Sequence, residues 1–289
     1  MVCRLRIIHA LVRARTSSEK GVMVLLKVNL PEPAVKQITL LAPSGVEWNL
    51  TEKKDRGVFL REGGISGLVG TPSPLVSQAV GAVGQRFFGA EHGPLEGTLS
   101  LNIYDTSGDC AAIFDKFVGS LSTHVPAVLK VSSKLRGPRF GTLRLATEIE
   151  SPACEPAEVS ELDFDISVVI DDGAWWSNWV HGNNNVTVAN SGDVPVSPKI
   201  RWKGAGGKVT LPSGATFTLP EVSEPRSLLL GIDQSLAVVD DQEVLDRETW
   251  LKVRGQALPE DIPPGASRVF SVPEGADLLW RLGFLSMWR

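Results

Sequence analysis

Histidine, cysteine and tyrosine are scarce in this 289-residue sequence: four, three and one, respectively. His9, His92, His124 and His181 lack the i, i+3 or i+4 spacing by which a helix presents two imidazoles to a metal, and no HExxH occurs. Cys3, Cys110 and Cys154 form neither a CxxC knuckle nor the dense framework of a small secreted domain, so they are read as free thiols of a reducing compartment. No apolar run approaches the roughly 20 residues that span a bilayer, which argues against membrane insertion. A net charge of -4 gives no bulk attraction to nucleic acid, so any contact with DNA would be passive or local.

Catalytic signatures are missing as well. There is no GxSxG elbow, and Gly63, Gly64, Gly67 and Gly70 are not followed by a P-loop lysine. The adjacent pairs Asp171 with Asp172 and Asp240 with Asp241 would point apart on a strand, and Glu148 with Glu150 reads as a solvated charged edge. The expectation is a non-enzymatic protein with no catalytic residue, cofactor or metal.

What is present is alternation. Leu99, Leu101 and Ile103 interleave with Ser100 and Asn102, and Leu162, Phe164, Ile166, Val168 and Ile170 with Asp163, Asp165 and Ser167. Side chains of a strand alternate between faces, so these segments predict antiparallel sheet with one wet face. Leu143, Leu145 and Ile149 extend the pattern, and Ala127–Val131 is a further strand candidate. One helix is predicted over about 109–121, where Ile113, Phe114, Phe117, Val118 and Leu121 share a face and Asp109 or Ser107 could cap.

Residues 63–97, rich in glycine, alanine, serine and proline, read as an extended hairpin or arm rather than packed core. A composition change at 175–185 sets a domain boundary at 180/181. Beyond it, seven short strand candidates, among them one over Leu278–Phe284, with turns such as Pro263-Pro264-Gly265, predict a β-sandwich and no helix. Residues 1–22 form an N-terminal extension mixing arginines with Leu5, Ile7, Ile8, Leu11 and Val12, and Met23, ahead of a strand candidate over Val24–Leu30, is an alternative start. Trp175, Trp176, Trp179 and Trp202 are candidates either for the seam between two domains, the preferred reading, or for platforms on which sugars stack.

The order of these segments resembles the distal tail proteins of siphoviruses and the minor tail proteins of actinobacterial phages. The resemblance is carried by Gly45-Val46-Glu47-Trp48-Asn49-Leu50, by Gly64-Ile65-Ser66-Gly67-Leu68-Val69-Gly70, and by the strand from Gly97 to Ile103. It continues through the helix around Phe114, the strand Leu143–Ile149, the ending Asp171-Asp172-Gly173-Ala174-Trp175-Trp176 and the stretch from Asn190 to Ile200. It covers residues 23 to 289. It implies a mainly β protein of two β-sandwich domains: residues 23–180 tail-tube-like with one flanking helix, and residues 181–289 galectin-like. It further implies a virion protein, made in the host cytoplasm, that forms a six-fold ring with itself at the distal end of the tail. Its partners would be the tail tube protein, the tail-associated hub protein and receptor-binding proteins, with DNA only as cargo passing through the lumen. The loop from Gly63 to Gly97 is the candidate for inter-subunit contact, with Gly64, Ile65, Gly67, Leu68 and Val69 singled out in it, and host cell-wall glycan binding by the second domain is the alternative role.

Overall fold

A computed structural model describes residues 37–289 apart from Lys53, Ala82, Lys134 and Leu135. The extension 1–22, the alternative start at Met23 and the strand candidate Val24–Leu30 lie outside the described residues. In chain order the first half contains β1 (Gln37–Leu41), β2 (Glu47–Asn49), β3 (Arg56–Gly67), β4 (Ser73–Ser77), β5 (Arg86–Glu91), β6 (Leu95–Asp105), α1 (Ala111–Val118), β7 (Ala127–Ser132), β8 (Arg139–Leu145), β9 (Glu161–Ile170) and β10 (Trp175–Trp176). The second half adds β11 (Val180–Gly182), β12 (Asn185–Ala189), β13 (Lys199–Gly204), β14 (Gly207–Thr210), β15 (Thr216–Leu219), β16 (Val222–Leu229), β17 (Val238–Val239), α2 (Arg247–Val253), β18 (Ser267–Ser271), β19 (Ala276–Trp280) and β20 (Gly283–Phe284). The protein is mainly β, as the alternation predicts.

One sheet runs in the order β2-β1-β7-β8-β9-β6-β3, with β10 and β20 joined to it through β8. Its spine is the antiparallel pair β6 and β9, continuous from Leu95 opposite Ile170 to Tyr104 opposite Glu161. The register sets Leu99 against Ile166 and Ile103 against Leu162 on the buried face, while Asn102 and Asp163 meet on the wet one. There the Asn102 amide donates to both Glu161 (2.9 Å) and Asp163 (2.8 Å). The two ends of the sheet approach each other, because the Leu60 N–H donates to the Leu50 carbonyl just past β2 (2.8 Å). The sheet therefore curls around a core that includes Leu40, Leu50, Leu101, Leu129, Leu143 and Val168.

The predicted helix is present and shorter, at Ala111–Val118, and the Asp109 carboxylate accepts from the Ala111 N–H (2.9 Å). Ser107 does not cap it; its hydroxyl and N–H donate to Asp105. Phe117 meets Trp48 edge-on at 5.2 Å and Phe114 meets Phe164 at 5.6 Å, so aromatic contacts seat the helix on the sheet. Cys110, just before it, is a buried thiol whose pKa is raised by that burial, whereas Cys154 is an exposed free thiol.

The second half packs the sheet β11-β19-β13-β16-β17 against the sheet β12-β18-β14-β15 around its own core, which includes Val188, Trp202, Val209, Leu228, Phe270 and Leu278. This is a β-sandwich. Two expectations need correction here. Among the described residues of this half there is a helix, α2, which escapes a periodicity reading because under two turns leave only Thr249 and Val253 buried. Its start is fixed chemically: the Asp246 carboxylate accepts from the Thr249 N–H (3.0 Å) and from the Arg226 Nε (2.6 Å). The single strand expected over Leu278–Phe284 is two, because the chain leaves one sheet after Trp280 and enters the other at Gly283.

That crossing ties the halves together. β20 pairs with β10, Trp175 opposite Phe284, and Phe284 and Met287 are buried in the first core. Asp193, in the loop before β13, accepts from the Leu285 N–H (3.1 Å) and ion-pairs with Arg289, while its own N–H donates to the Gly283 carbonyl (2.8 Å).

Candidate functional site

Two regions hold the residues singled out by sequence, and the structure divides each of them. The first begins where β3 loses register with β6: Leu60 stands opposite Leu101, Ile65 opposite Leu99, and residues 61–64 bulge between. A Cβ on Gly64 would lie 2.6 Å from the Ser100 carbonyl oxygen, and one on Gly67, whose φ is +74°, would lie 2.4 Å from that of Glu96. Backbone fills the space a side chain needs, so both positions require glycine. Leu68 turns inward, fully buried, and its carbonyl accepts from the Trp175 Nε1 at 2.9 Å.

Of the five residues expected at an inter-subunit contact, Gly64, Gly67 and Leu68 therefore serve the internal packing of the chain. Leu68 is withdrawn from the surface by its own core. Ile65 is half-buried against that core, and Val69 is exposed.

The apolar surface lies a few residues further on. β4 and β5 form a two-stranded ribbon separate from every other sheet, as the hairpin reading of 63–97 anticipates. Leu75, Val76, Val80, Val83, Phe87 and Phe88 are all exposed on it, the two phenylalanines at 64% and 61%. An isolated two-stranded ribbon is marginal in water, and large apolar groups clustered on one mark an interaction surface. The sequence reading takes the whole loop from Gly63 to Gly97 as its contact candidate and singles out residues at its start, not the phenylalanines. The usable signal is Phe87-Phe88 and Leu75-Val76 standing in a stretch rich in glycine, alanine and serine.

The tryptophans also divide. Trp175 and Trp202 do not meet: one is buried in the first core, the other in the second with its Nε1 donating to the Pro220 carbonyl (2.9 Å). Neither indole face can receive a ligand. Trp176 and Trp179 flank the point where the chain passes between the sheets, with Trp179 at 44% exposure. The guanidinium of Arg281, in the crossing between β19 and β20, lies 4.2 Å from the Trp176 ring centroid and 5.0 Å from that of Trp179. The Lys199 ammonium lies 4.3 Å from the Trp179 centroid. Burial lowers the pKa of both cations; Asp172 and Glu243 oppose the shift at Arg281, and at Lys199 Glu243 opposes it while Arg281 and Arg201 add to it. Arg281 and Lys199 were not anticipated, since nothing in sequence joins positions 82 apart to these indoles.

A shallow hollow on the wet face of the first sheet is lined by Lys54, Phe59, Asn102, Tyr104 and Glu161. Among the described residues no group of three histidine, cysteine, aspartate or glutamate side chains could hold a metal ion, and no helix is long and apolar enough to cross a membrane.

The arrangement defines a two-part β protein, a curled sheet with one flanking helix followed by a β-sandwich, and phage distal-tail hub and baseplate proteins share this fold. It is similar to the crystal structure of Dit (gp 19.1) of phage SPP1, described as a paradigm of the hub adsorption apparatus in phages infecting Gram-positive bacteria. That likeness has a TM-score of 0.57 at 10% identity and covers 86% of this chain and 99% of that one. Structures of the phage p2 baseplate in its activated conformation, with strontium and with calcium, match at a TM-score of 0.50 and 10% identity, covering 86% of this chain and 98% of theirs. No protein-family model and no curated protein matches the sequence.

Proposed function

We propose that this chain is a structural subunit of a long-tailed phage virion, forming a six-fold ring at the distal end of the tail tube that joins the tube to the hub and host-recognition apparatus. The observation that carries the reading is the likeness to SPP1 Dit, which takes in nearly the whole of that protein and both halves of this one. The exposed ribbon supports it physically. A subunit in a closed ring must offer each neighbour a surface that is costly to leave in water, and Phe87 and Phe88 with the valines around them supply one.

In this reading the first half builds the ring against the tail tube protein and the tail-associated hub protein. The second half, taken as galectin-like, projects outward toward receptor-binding proteins. DNA passes through the lumen without being bound, which a net charge of -4 favours, since fixed cations would hold its phosphates. The subunit turns over no substrate, and zymography against host peptidoglycan is expected to stay blank.

The test is assembly. Light scattering and negative-stain microscopy of the purified protein, alone and mixed with tube and hub proteins, should show rings with a central hole, and Phe87→Ser with Phe88→Ser should abolish them while leaving a folded monomer. A monomer that forms no ring in any mixture would overturn the proposal. The alternative, a glycan-binding module, retains only Trp176 and Trp179 of its four candidate platforms, because Trp175 and Trp202 are core residues.

A further inference from the structure

The sandwich of the second half is built from two open sheets and so has four edges, of which three are covered or short. Beyond β17 the chain folds back on itself, with Val239 bridged to Leu245 and the Asp246 N–H donating to the Val238 carbonyl (2.8 Å). The helix α2 lies against β15, and β11 has only three residues. The fourth edge is β12, which among the described strands pairs with β18 alone.

The register decides which backbone groups of β12 are used. The Asn184 carbonyl accepts from the Val272 N–H (2.8 Å) and the Asn190 N–H donates to the Ala266 carbonyl (2.9 Å), so the residues bonded toward β18 are Asn184, Val186, Val188 and Asn190. The N–H and C=O groups of Asn185, Thr187 and Ala189 therefore point outward in the plane of the sheet, and none has a partner among the described residues. All three residues are exposed. Open edges of this kind are commonly blunted by lysine, proline or a bulge. None of these is present in β12: its sequence is Asn-Val-Thr-Val-Ala, and its register with β18 is unbroken. Opposite its three exposed residues stand Ser271, Val269 and Ser267, also without charge, while Arg268 is opposite Val188 on the other face.

We infer that β12 pairs antiparallel with β12 of a second copy, about a two-fold axis at Thr187. The occupant follows from the edge itself, because read antiparallel its uncharged sequence and alternating donors and acceptors match themselves. Thr187 faces Thr187 and Asn185 faces Ala189, so every free N–H and C=O of the edge is paired, hydroxyl lies beside hydroxyl, and no like charges are opposed. Each bond replaces one to water and association costs freedom of motion, so a five-residue edge makes a weak pair that forms at high protein concentration. The contact lies in the second half and depends neither on the ribbon nor on the ring.

Sedimentation equilibrium of the full chain carrying Phe87→Ser and Phe88→Ser, from micromolar to millimolar concentration, should show a monomer when dilute and a dimer when concentrated. Added to that chain, Thr187→Pro removes an outward N–H and no bond to β18, and Thr187→Lys opposes two charges on the axis. Each should weaken dimerisation by about tenfold or more. Thermal melts separate these effects from folding, and Thr187→Lys carries the test if proline disturbs the strand. The register is read by cross-linking with oxidised glutathione after Cys3 and Cys154 are replaced by serine. Thr187→Cys should then link to itself, whereas Asn185→Cys and Ala189→Cys should link only when mixed. The inference is overturned if the chain stays monomeric at millimolar concentration, if both Thr187 variants dimerise as the parent does, or if Asn185→Cys links to itself as readily as to Ala189→Cys. Rings are read separately, by microscopy of the chain with Phe87 and Phe88 intact, so either claim can fail without the other.

Discussion

Residues 64–68 and residues 73–91 are close neighbours in sequence and opposites in packing. The first segment is held so tightly against β6 that a methyl group on Gly67 would meet the Glu96 carbonyl oxygen at 2.4 Å. The second carries two phenylalanines and several valines into solvent on a ribbon of two strands. Both are rich in glycine, so composition alone does not distinguish them. In the turn, glycine is there because backbone occupies the place of a side chain; at Gly81, with φ of +81° and nothing within 4 Å, only the torsion requires it.

Substitutions can break or sharpen that contrast. Gly67→Ala combines an unfavourable torsion with a backbone clash and should cost at least about 3 kcal/mol in urea unfolding, or prevent folding. Gly81→Ala, in nearly the same backbone conformation but with open space around it, should cost only about 1–2 kcal/mol. Equal effects at the two positions would show that the torsion, and not the contact with Glu96, decides. Trp175→Phe removes the donor to the Leu68 carbonyl and leaves that oxygen unpaired in the core, so the midpoint should fall by an amount equivalent to about 2 kcal/mol.

The cap of α2 provides a control remote from both segments. The Arg226 guanidinium, with the Thr249 N–H, holds the Asp246 carboxyl at about 2, below its ordinary 3.8. A depressed carboxylate contributes stability above its unfolded pKa, so that contribution is complete at neutral pH and disappears as pH falls from about 4 through 2. It amounts to at most about 2 kcal/mol. Asp246→Asn should flatten this part of the stability profile in acid titrations followed by circular dichroism. The smallest effect belongs to the ribbon: Phe87→Ser with Phe88→Ser should shift folding stability by less than about 0.5 kcal/mol while, on the proposed function, removing ring assembly. A larger loss would mean that the ribbon packs on its own chain.

The strands of the spine were legible because they are long and half-buried: ten consecutive pairs join β6 to β9, and each turns alternate side chains to water. The ribbon is legible as a hairpin from its small residues, but neither period nor propensity says which apolar residues of that loop a neighbouring sheet will cover. Trp175 and Trp202 illustrate the same limit. Twenty-seven positions apart and equally buried, they fill different cores, a distinction settled by which sheet each strand joins. Nor does any local pattern reveal that Arg281 returns to lie against Trp176, since that contact depends on the chain crossing between sheets after Trp280.

The same crossing has a consequence for synthesis. Phe284 and Met287 complete a core whose other buried members, from Ile38 to Trp175, leave the ribosome more than a hundred residues earlier. Until Phe284 and Met287 emerge, the first core lacks the two side chains that close it beside β10. A chain that stops short of Phe284 leaves Trp175 without its β20 partner, so the first half is completed only after the second has been translated.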